Sequence, residues 1–338
     1  MKAMILAGGL STRLYPLTKL VPKPLVPVAG VPNAAHLLRY LKAYGFDEIA
    51  MNVHYRAESI VATLGDGSRF GVKLHYSHES ELLGSAGAVK NVQSFFGDDV
   101  FVVIGCDEVT DLRLDRLIDF HRERDAIASI ALVACSEVEQ YGVVVLDERG
   151  KVVGFQEKPA KGTERSKLVN TGVYVFSPAI FEHIPAGQFY DFGKQVFPSL
   201  QAAGERFYGF DARGAYWADI GTPDEYRRAS YDVVRGIVRI PQTNPNGIDP
   251  SARIAPGARI VGPVRLGAGV YVGEGVSIEG PCVVDDRVRI EPGARLQRSI
   301  LWQGATIGAR SQLSDTIVGN DYLVEPESIL ANALVAEE

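Results

Sequence analysis

Cysteine is scarce. Cys106, Cys135 and Cys282 are odd in number and isolated, with no Cys-x-x-Cys spacing. That pattern excludes a disulfide framework and a structural zinc site, and it points to a reducing, cytoplasmic setting. Long apolar runs are missing too: none approaches the roughly 20 residues of a bilayer-spanning helix. The apolar stretch Ala3–Ala7 is too short for a signal-peptide core, so no membrane partner is expected. Acidic residues are absent from Met1 to Phe46, whereas Lys2, Arg13, Lys19, Lys23, Arg39 and Lys42 are all basic. The whole chain nevertheless carries a net charge of −6, which argues against a nucleic-acid partner. A local positive field in an acidic chain suits a small anionic ligand.

With 338 residues, 46% of them hydrophobic, the chain can bury one large core and a second smaller one. Up to about residue 240, apolar runs alternate with amphipathic stretches. Ala3–Ala7, Glu48–Val53, Val72–Tyr76, Val100–Ile104 and Ile127–Val133 read as strands. Asn33–Tyr44, Ala57–Leu64, Ala86–Phe95 and Leu114–Arg124 read as the intervening helices. Alternation of this kind predicts a Rossmann-like α/β domain over 1–240, with a mostly parallel sheet whose ligands bind at the strands' carboxyl ends. Pro241–Gly247 has the composition of a linker.

From there to about residue 330 a period of six takes over. Ile248, Ile254, Ile260, Leu266, Val272, Ile278, Val284, Ile290 and Leu296 are each six residues apart; the phase slips by one at Leu301 and resumes at Ile307 and Leu313. Neither a helix nor an ordinary strand repeats every six residues. A parallel β-helix does, because each side of a coil directs one aliphatic residue into a shared core.

The segment "LAGGLSTRLYPLTKLVPKP", Leu6–Pro24, follows the first strand. It is neither a G-x-G-x-x-G dinucleotide fingerprint nor a Walker A loop. It supplies flexible backbone N–H groups, a guanidinium at Arg13, and Lys23 pinned between Pro22 and Pro24. Such donors match the oxygens of a triphosphate.

These residues resemble the opening of the sugar nucleotidyltransferases, which reads L-A-G-G-x-G-T-R-L-x-P-L-T followed by P-K-P. Leu82–Ala88, Gly105–Asp111, Glu157–Pro159, Asn170–Gly172, Asp191–Pro198 and Trp217–Tyr226 are similar to that family's later motifs in the same order, and a hexapeptide β-helix, left-handed in the family, trails many members. The resemblance implies attack of a sugar-1-phosphate oxygen on the α-phosphorus of a nucleoside triphosphate, with release of pyrophosphate. It implies that Leu6, Ala7, Gly8, Gly9, Ser11 and Thr12 line the nucleotide, together with Glu81, Gly84, Ser85 and Ala86. Arg13 would face the departing phosphates and Lys23 the α-phosphate. Asp107 and Asp219 would hold Mg²⁺. Gly142, Glu157, Lys158, Asn170, Gly172 and Trp217 would form the sugar-phosphate pocket, with Lys194 as a further contact or a plain surface lysine.

The motifs are most similar to those of mannose-1-phosphate guanylyltransferases, so GTP and mannose-1-phosphate are the expected substrates, with glucose-1-phosphate and UTP, dTTP or ATP as alternatives. Two positions depart from the pattern: Ser11 and Cys106 stand where the family carries glycine. A non-catalytic nucleotide-sugar-binding subunit is the rival reading. A hexapeptide acyltransferase is disfavoured, because all six histidines precede residue 184 and none falls in the hexads. The open sheet ends of a β-helix predict a homo-oligomer.

Overall fold

The computed structural model describes residues 1–240 and 247–337, so the expected linker lies outside the described residues except for Gly247. Contacts gather the chain into two compact units: Met1–Leu10 with Leu37–Trp217, and Ser11–His36 with Ala218–Glu338.

In the first unit the strand Lys2–Leu6, whose Ala3, Met4 and Ile5 are fully buried, runs parallel to Glu48–Val53 on one side and Phe101–Gly105 on the other. Leu6 lies level with both Asn52 and Gly105, so three strand ends meet where the glycine-rich turn begins. Lys73–His78 extends the parallel region beyond Glu48–Val53. The expected mostly parallel sheet is corrected to a nine-stranded mixed one. Leu168–Phe176 pairs antiparallel with Phe101–Gly105, Ala128–Ala134 and Gly142–Leu146. Val152–Glu157 then pairs antiparallel with Gly142–Leu146. For this last pair the physical reason is that the two strands are joined by a short turn, with no helix to carry the chain back to the same end of the sheet.

The helix expected over Ala86–Phe95 is two pieces, Gly84–Asn91 and Gln93–Phe96, broken where Val92 adopts φ −108°. Phe96, Phe101 and Phe181 stack on one another in a cluster, and Phe176 stacks on Phe192; this aromatic core fixes the segment that carries Asp191.

The second unit contains the three-sided left-handed β-helix. Each coil gives one strand to each of three parallel sheets. Leu266 pairs with Val284, eighteen residues on, whereas Val284 pairs with Leu301 and Leu301 with Val318, seventeen residues on. The slip at Leu301 is therefore repeated in the following coil. From Leu266 to Leu313 the hexad aliphatics are buried, which is what a six-residue period demands of one inward row. The helix Pro223–Arg235 lies in the same unit, capped by Thr222 Oγ1, which accepts from the Glu225 N–H.

Candidate active site

The glycine turn is held from beneath by a polar chain that the sequence reading missed. The Ala7 N–H donates to Asn52 Oδ1 (2.9 Å), and Asn52 Nδ2 donates to Glu79 Oε1 (3.0 Å). Glu79 is buried; desolvation pushes its carboxyl up, opposed by hydrogen bonds from the Leu83 N–H and Asn52. A methyl on Gly8 would lie 2.7 Å from Asn52 Nδ2, so only glycine fits over this amide. Gly9 has open space where a side chain would project. Glu81, the expected nucleotide carboxylate, is exposed. Carboxylates two residues apart thus divide into a buried brace and a solvent-facing group. Glu79, just beyond Lys73–His78, keeps its N–H on the Val53 carbonyl (2.9 Å), whereas Glu81 lies in the bend that follows.

The Leu82–Ala88 segment is knitted to residues 190–192. The Ala86 and Gly87 N–H groups both donate to the Tyr190 carbonyl (2.9 and 3.0 Å). Ser85 Oγ donates to Asp191 Oδ2 and accepts from the Phe192 N–H, both at 2.9 Å. Gly84 takes φ +72°, where a side chain would collide with the Tyr190 carbonyl. Two of the expected nucleotide contacts, Ser85 and Ala86, therefore have these polar groups engaged in shaping the loop.

Gly105 ends its strand under Asp107: a methyl there would sit 2.7 Å from Asp107 Oδ1. Cys106 is buried, and its N–H donates to the Leu6 carbonyl (3.0 Å), so the family's glycine is replaced by a small packed group. Glu108 is buried as well. Its Oε2 accepts the Trp217 indole N–H (2.6 Å), which is shared with the Thr171 carbonyl (2.9 Å). Trp217 packs edge-on against Tyr141, with ring centres 5.0 Å apart. Gly172, at φ +72°, lies directly against Glu108 Oε1. Its N–H donates to Asn170 Oδ1 (3.0 Å), and Asn170 Nδ2 reaches the Tyr174 hydroxyl (3.0 Å).

Glu157 gathers several expected sugar residues around it. A methyl on Gly142 would lie 3.2 Å from Glu157 Oε2, and one on Gly193 would lie 2.7 Å away. Desolvation raises the Glu157 pKa, with Lys158 and Lys194 opposing and Asp191 adding to the rise. Lys158 itself is in the left-handed region, φ 47°, with its N–H on the Tyr141 carbonyl (3.1 Å). A non-glycine residue in that region is a local strain of the kind found at ligand sites.

In the second unit, Arg13, Lys23 and Asp219 converge. Lys23 Nζ is 3.9 Å from Asp219 Oδ1, and Arg13 Nη2 is 4.0 Å from Asp219 Oδ2. Gly221 makes this possible, because a methyl there would come within 2.6 Å of Arg13 and 2.7 Å of Asp219. The Lys23 side chain is 12% exposed and that of Arg13 is 45% exposed, so Lys23 is the less solvated cation. Ser11 adopts φ 54°, ψ 41°, a left-handed conformation suited to glycine. Its carbonyl accepts from the Thr18 hydroxyl (2.7 Å) and the Leu14 N–H (3.2 Å), which lock the turn despite the strain. Thr12 is exposed.

Residues 2–236 match the nucleotidyl transferase family, and residues 243–338 match the GMPPB C-terminal domain. The chain belongs to the nucleotidyl transferase family. Among its curated relatives, UTP–glucose-1-phosphate uridylyltransferase of Synechocystis sp. is 37% identical, covering 96% of this chain and 89% of the relative. Mannose-1-phosphate guanylyltransferase of Mycobacterium tuberculosis is 35% identical over 88% and 83% of the two chains. The mannose-1-phosphate guanyltransferase of Yarrowia lipolytica is 35% identical over 97% and 93%. The crystal structure of HddC from Yersinia pseudotuberculosis superposes with a TM-score of 0.59 at 30% identity, covering 68% of this chain and 97% of that one.

This nucleotidyl transferase is a sugar-1-phosphate nucleotidyltransferase, and its substrates are a nucleotide and a sugar phosphate. Enzymes of the family generally use a divalent metal. The donor set here fits a hard cation. Among the described residues no three His, Cys, Asp or Glu side chains form a cage, yet one or two carboxylates completed by phosphates and water suffice for Mg²⁺. Asp219, set between two cations, is a carboxylate of that kind. Among the described residues no helix is long and apolar enough to cross a membrane.

Proposed function

We propose that this nucleotidyl transferase joins GMP from GTP to mannose-1-phosphate, forming GDP-mannose and releasing pyrophosphate. The observation that carries the proposal is the clustering of Lys23 and Arg13 on Asp219, in a chain whose extent matches mannose-1-phosphate guanylyltransferases almost end to end. An oxygen of the sugar phosphate attacks the α-phosphorus, the bond to the β-phosphate oxygen breaks, and pyrophosphate departs with that electron pair. The attacking oxygen is already anionic at neutral pH, so the protein's task is alignment and charge neutralisation.

Lys23 is assigned to the α-phosphate and Arg13 to the leaving β- and γ-phosphates, for which a guanidinium offers paired donors. The Gly8–Gly9 turn offers backbone donors. Lys158 takes the sugar phosphate and Glu157 accepts from sugar hydroxyls, with Asn170, Gly172 and Trp217 shaping the pocket. Asp107 and Asp219 are assigned as metal carboxylates. When bound, Mg²⁺ supplies neutralisation of the phosphate charge. We further propose a homo-oligomer built through the β-helix; light scattering showing only monomers at micromolar concentration would contradict it.

A second reading, UTP with glucose-1-phosphate, is favoured by the 37% identity to the Synechocystis uridylyltransferase. A matrix of four nucleoside triphosphates against several sugar-1-phosphates, read by pyrophosphate release, decides between them. Highest kcat/KM with GTP and mannose-1-phosphate supports the first reading. Highest turnover with UTP and glucose-1-phosphate replaces it with the second, and no pyrophosphate with any pair would leave a non-catalytic nucleotide-sugar-binding subunit.

A further inference from the structure

The segment after Lys23 is seated on the β-helix. Pro27–Val28 and Val31–Pro32 pair antiparallel across Ala29 (φ 47°) and Gly30 (φ 77°), two consecutive left-handed residues that make a tight hairpin. The Asn33 N–H closes its base on the Val26 carbonyl (3.0 Å). Lys23 lies in the short helical turn Lys23–Leu25 that leads into this hairpin. Pro22, Pro24 and Pro27 stiffen the connection, because each fixes its own φ.

Three successive coils of one β-helix sheet meet the hairpin and the Pro223–Arg235 helix. Arg265 lies in Val264–Leu266, Asp285 directly follows Cys282–Val284, and Trp302 directly follows Ile300–Leu301. A methyl on Gly30 would stand 2.5 Å from Arg265 Nε and 2.6 Å from Asp285 Oδ1, so the turn's backbone rests directly on this pair. Tyr226 is fully buried; its hydroxyl donates to the Pro27 carbonyl (2.6 Å) and accepts from Trp302 Nε1 (2.8 Å). Trp302 is 1% exposed, so its indole N–H has no water to turn to. Five residues along the same helix, the Tyr231 hydroxyl bonds the Arg298 carbonyl. The helix begins four residues after Asp219. One hydroxyl therefore joins the segment carrying Lys23, the helix that follows Asp219, and the β-helix.

We propose that Tyr226, Trp302 and the Arg265–Asp285 seat are positioning residues through which the β-helix sets Lys23 against Asp219, making that domain part of the catalytic apparatus. The proposal rests on the assignment of Lys23 to the α-phosphate. The Lys23–Asp219 separation of 3.9 Å is the geometry that the tether maintains. Displacements on the order of 1 Å at reacting groups can cost about 10²-fold in rate, so a loosened hairpin is felt in kcat even though none of these residues touches substrate.

The test uses the full-length enzyme with Tyr226→Phe, Trp302→Phe, the double variant, Lys23→Ala, and Leu313→Ala as a control within the β-helix interior. Steady-state pyrophosphate release and amide hydrogen exchange over residues 22–32 are measured on each. Trp302→Phe is expected to lower kcat by roughly 3-fold, the scale of one buried hydrogen bond, and Tyr226→Phe, which removes two, by roughly 10-fold. KM for the sugar phosphate should hold, and exchange over 22–32 should rise. The double variant should be little worse than Tyr226→Phe, which already removes both bonds. Leu313→Ala should lower the unfolding midpoint but leave kcat of the folded enzyme near the parent value.

Unchanged exchange over 22–32 in both aromatic variants would overturn the tether. Faster exchange with unchanged kcat would overturn its catalytic role, as would a Leu313→Ala enzyme slowed to the same degree. Undiminished turnover by Lys23→Ala would instead remove the assignment of Lys23, and with it the catalytic half of the proposal, while the exchange response to Tyr226→Phe still reported the tether.

Discussion

Replacing Ser11 by glycine should make this enzyme more stable. At φ 54°, ψ 41° an L-residue crowds its Cβ against the following carbonyl, at a cost of about 1–2 kcal/mol that glycine avoids. Glycine gives back about 0.5–1 kcal/mol, because it frees the unfolded chain. A second contribution comes from the hydroxyl. Ser11 Oγ is buried and has no hydrogen-bond partner among the described residues, a loss of hydration worth about 1 kcal/mol or more. The net expectation is a gain of about 1–2 kcal/mol, read as a rise of a few degrees in the thermal unfolding midpoint. The Thr18 hydroxyl and Leu14 N–H bond the Ser11 carbonyl, so the substitution leaves those contacts in place. Differential scanning calorimetry of Ser11→Gly and Ser11→Ala beside the parent separates the two terms. Alanine removes the hydroxyl but keeps the strained backbone. A glycine variant no more stable than the alanine variant would refute the strain argument. A KM for the nucleotide raised severalfold in both would show that the hydroxyl serves the triphosphate.

The other predictions test the chemistry and the packing around it. Asp219→Asn should lower kcat by on the order of 10²-fold or more in pyrophosphate-release assays, because the charge acts mainly in the transition state; near-normal turnover would remove Asp219 from the site. Gly172→Ala should destabilise the enzyme by about 2 kcal/mol or more and weaken sugar-phosphate binding, since the methyl meets Glu108 at a left-handed backbone position; an unperturbed melting curve would contradict this. His121 is buried between the Ser129 and Ser177 hydroxyls, and desolvation holds its pKa at about 4, below the unfolded 6.5. Between those values the unfolded chain takes up a proton that the folded one refuses. This group's contribution is therefore intact above pH 6.5 and falls as pH drops toward 4, by up to about 3 kcal/mol. Denaturant unfolding of His121→Gln should show a shallower loss of stability between pH 6.5 and 4.5 than the parent, and equal slopes would refute it.

Much of this was legible without coordinates. Inward aliphatics every six residues could be satisfied only by a β-helix, because no other regular backbone repeats at that interval. In the Leu6–Pro24 segment, residue type alone singled out the glycines, cations and prolines on which the proposed phosphate site rests, and the structure brings Arg13 and Lys23 within 4.0 Å of Asp219. The strand–helix alternation likewise located the carboxyl end of the sheet, since period and length are local properties of the chain.

What the tertiary structure decided depends on pairings between residues distant in sequence. The antiparallel half of the sheet follows from how Leu168–Phe176 inserts beside Phe101–Gly105, which no local period encodes. Glu79 rather than Glu81 braces the glycine turn because Glu79 still sits on the end of the strand ladder against Asn52, whereas Glu81 lies in the bend beyond it and faces solvent. The strain at Ser11 is a backbone angle, invisible in a residue name. The seat of the Lys23 hairpin on Arg265 and Asp285, and through Tyr226 on Trp302, arises because the β-helix stacks residues about eighteen apart into one face more than two hundred residues downstream of the turn. Local physics sets which elements form, while burial and register decide which side chains meet.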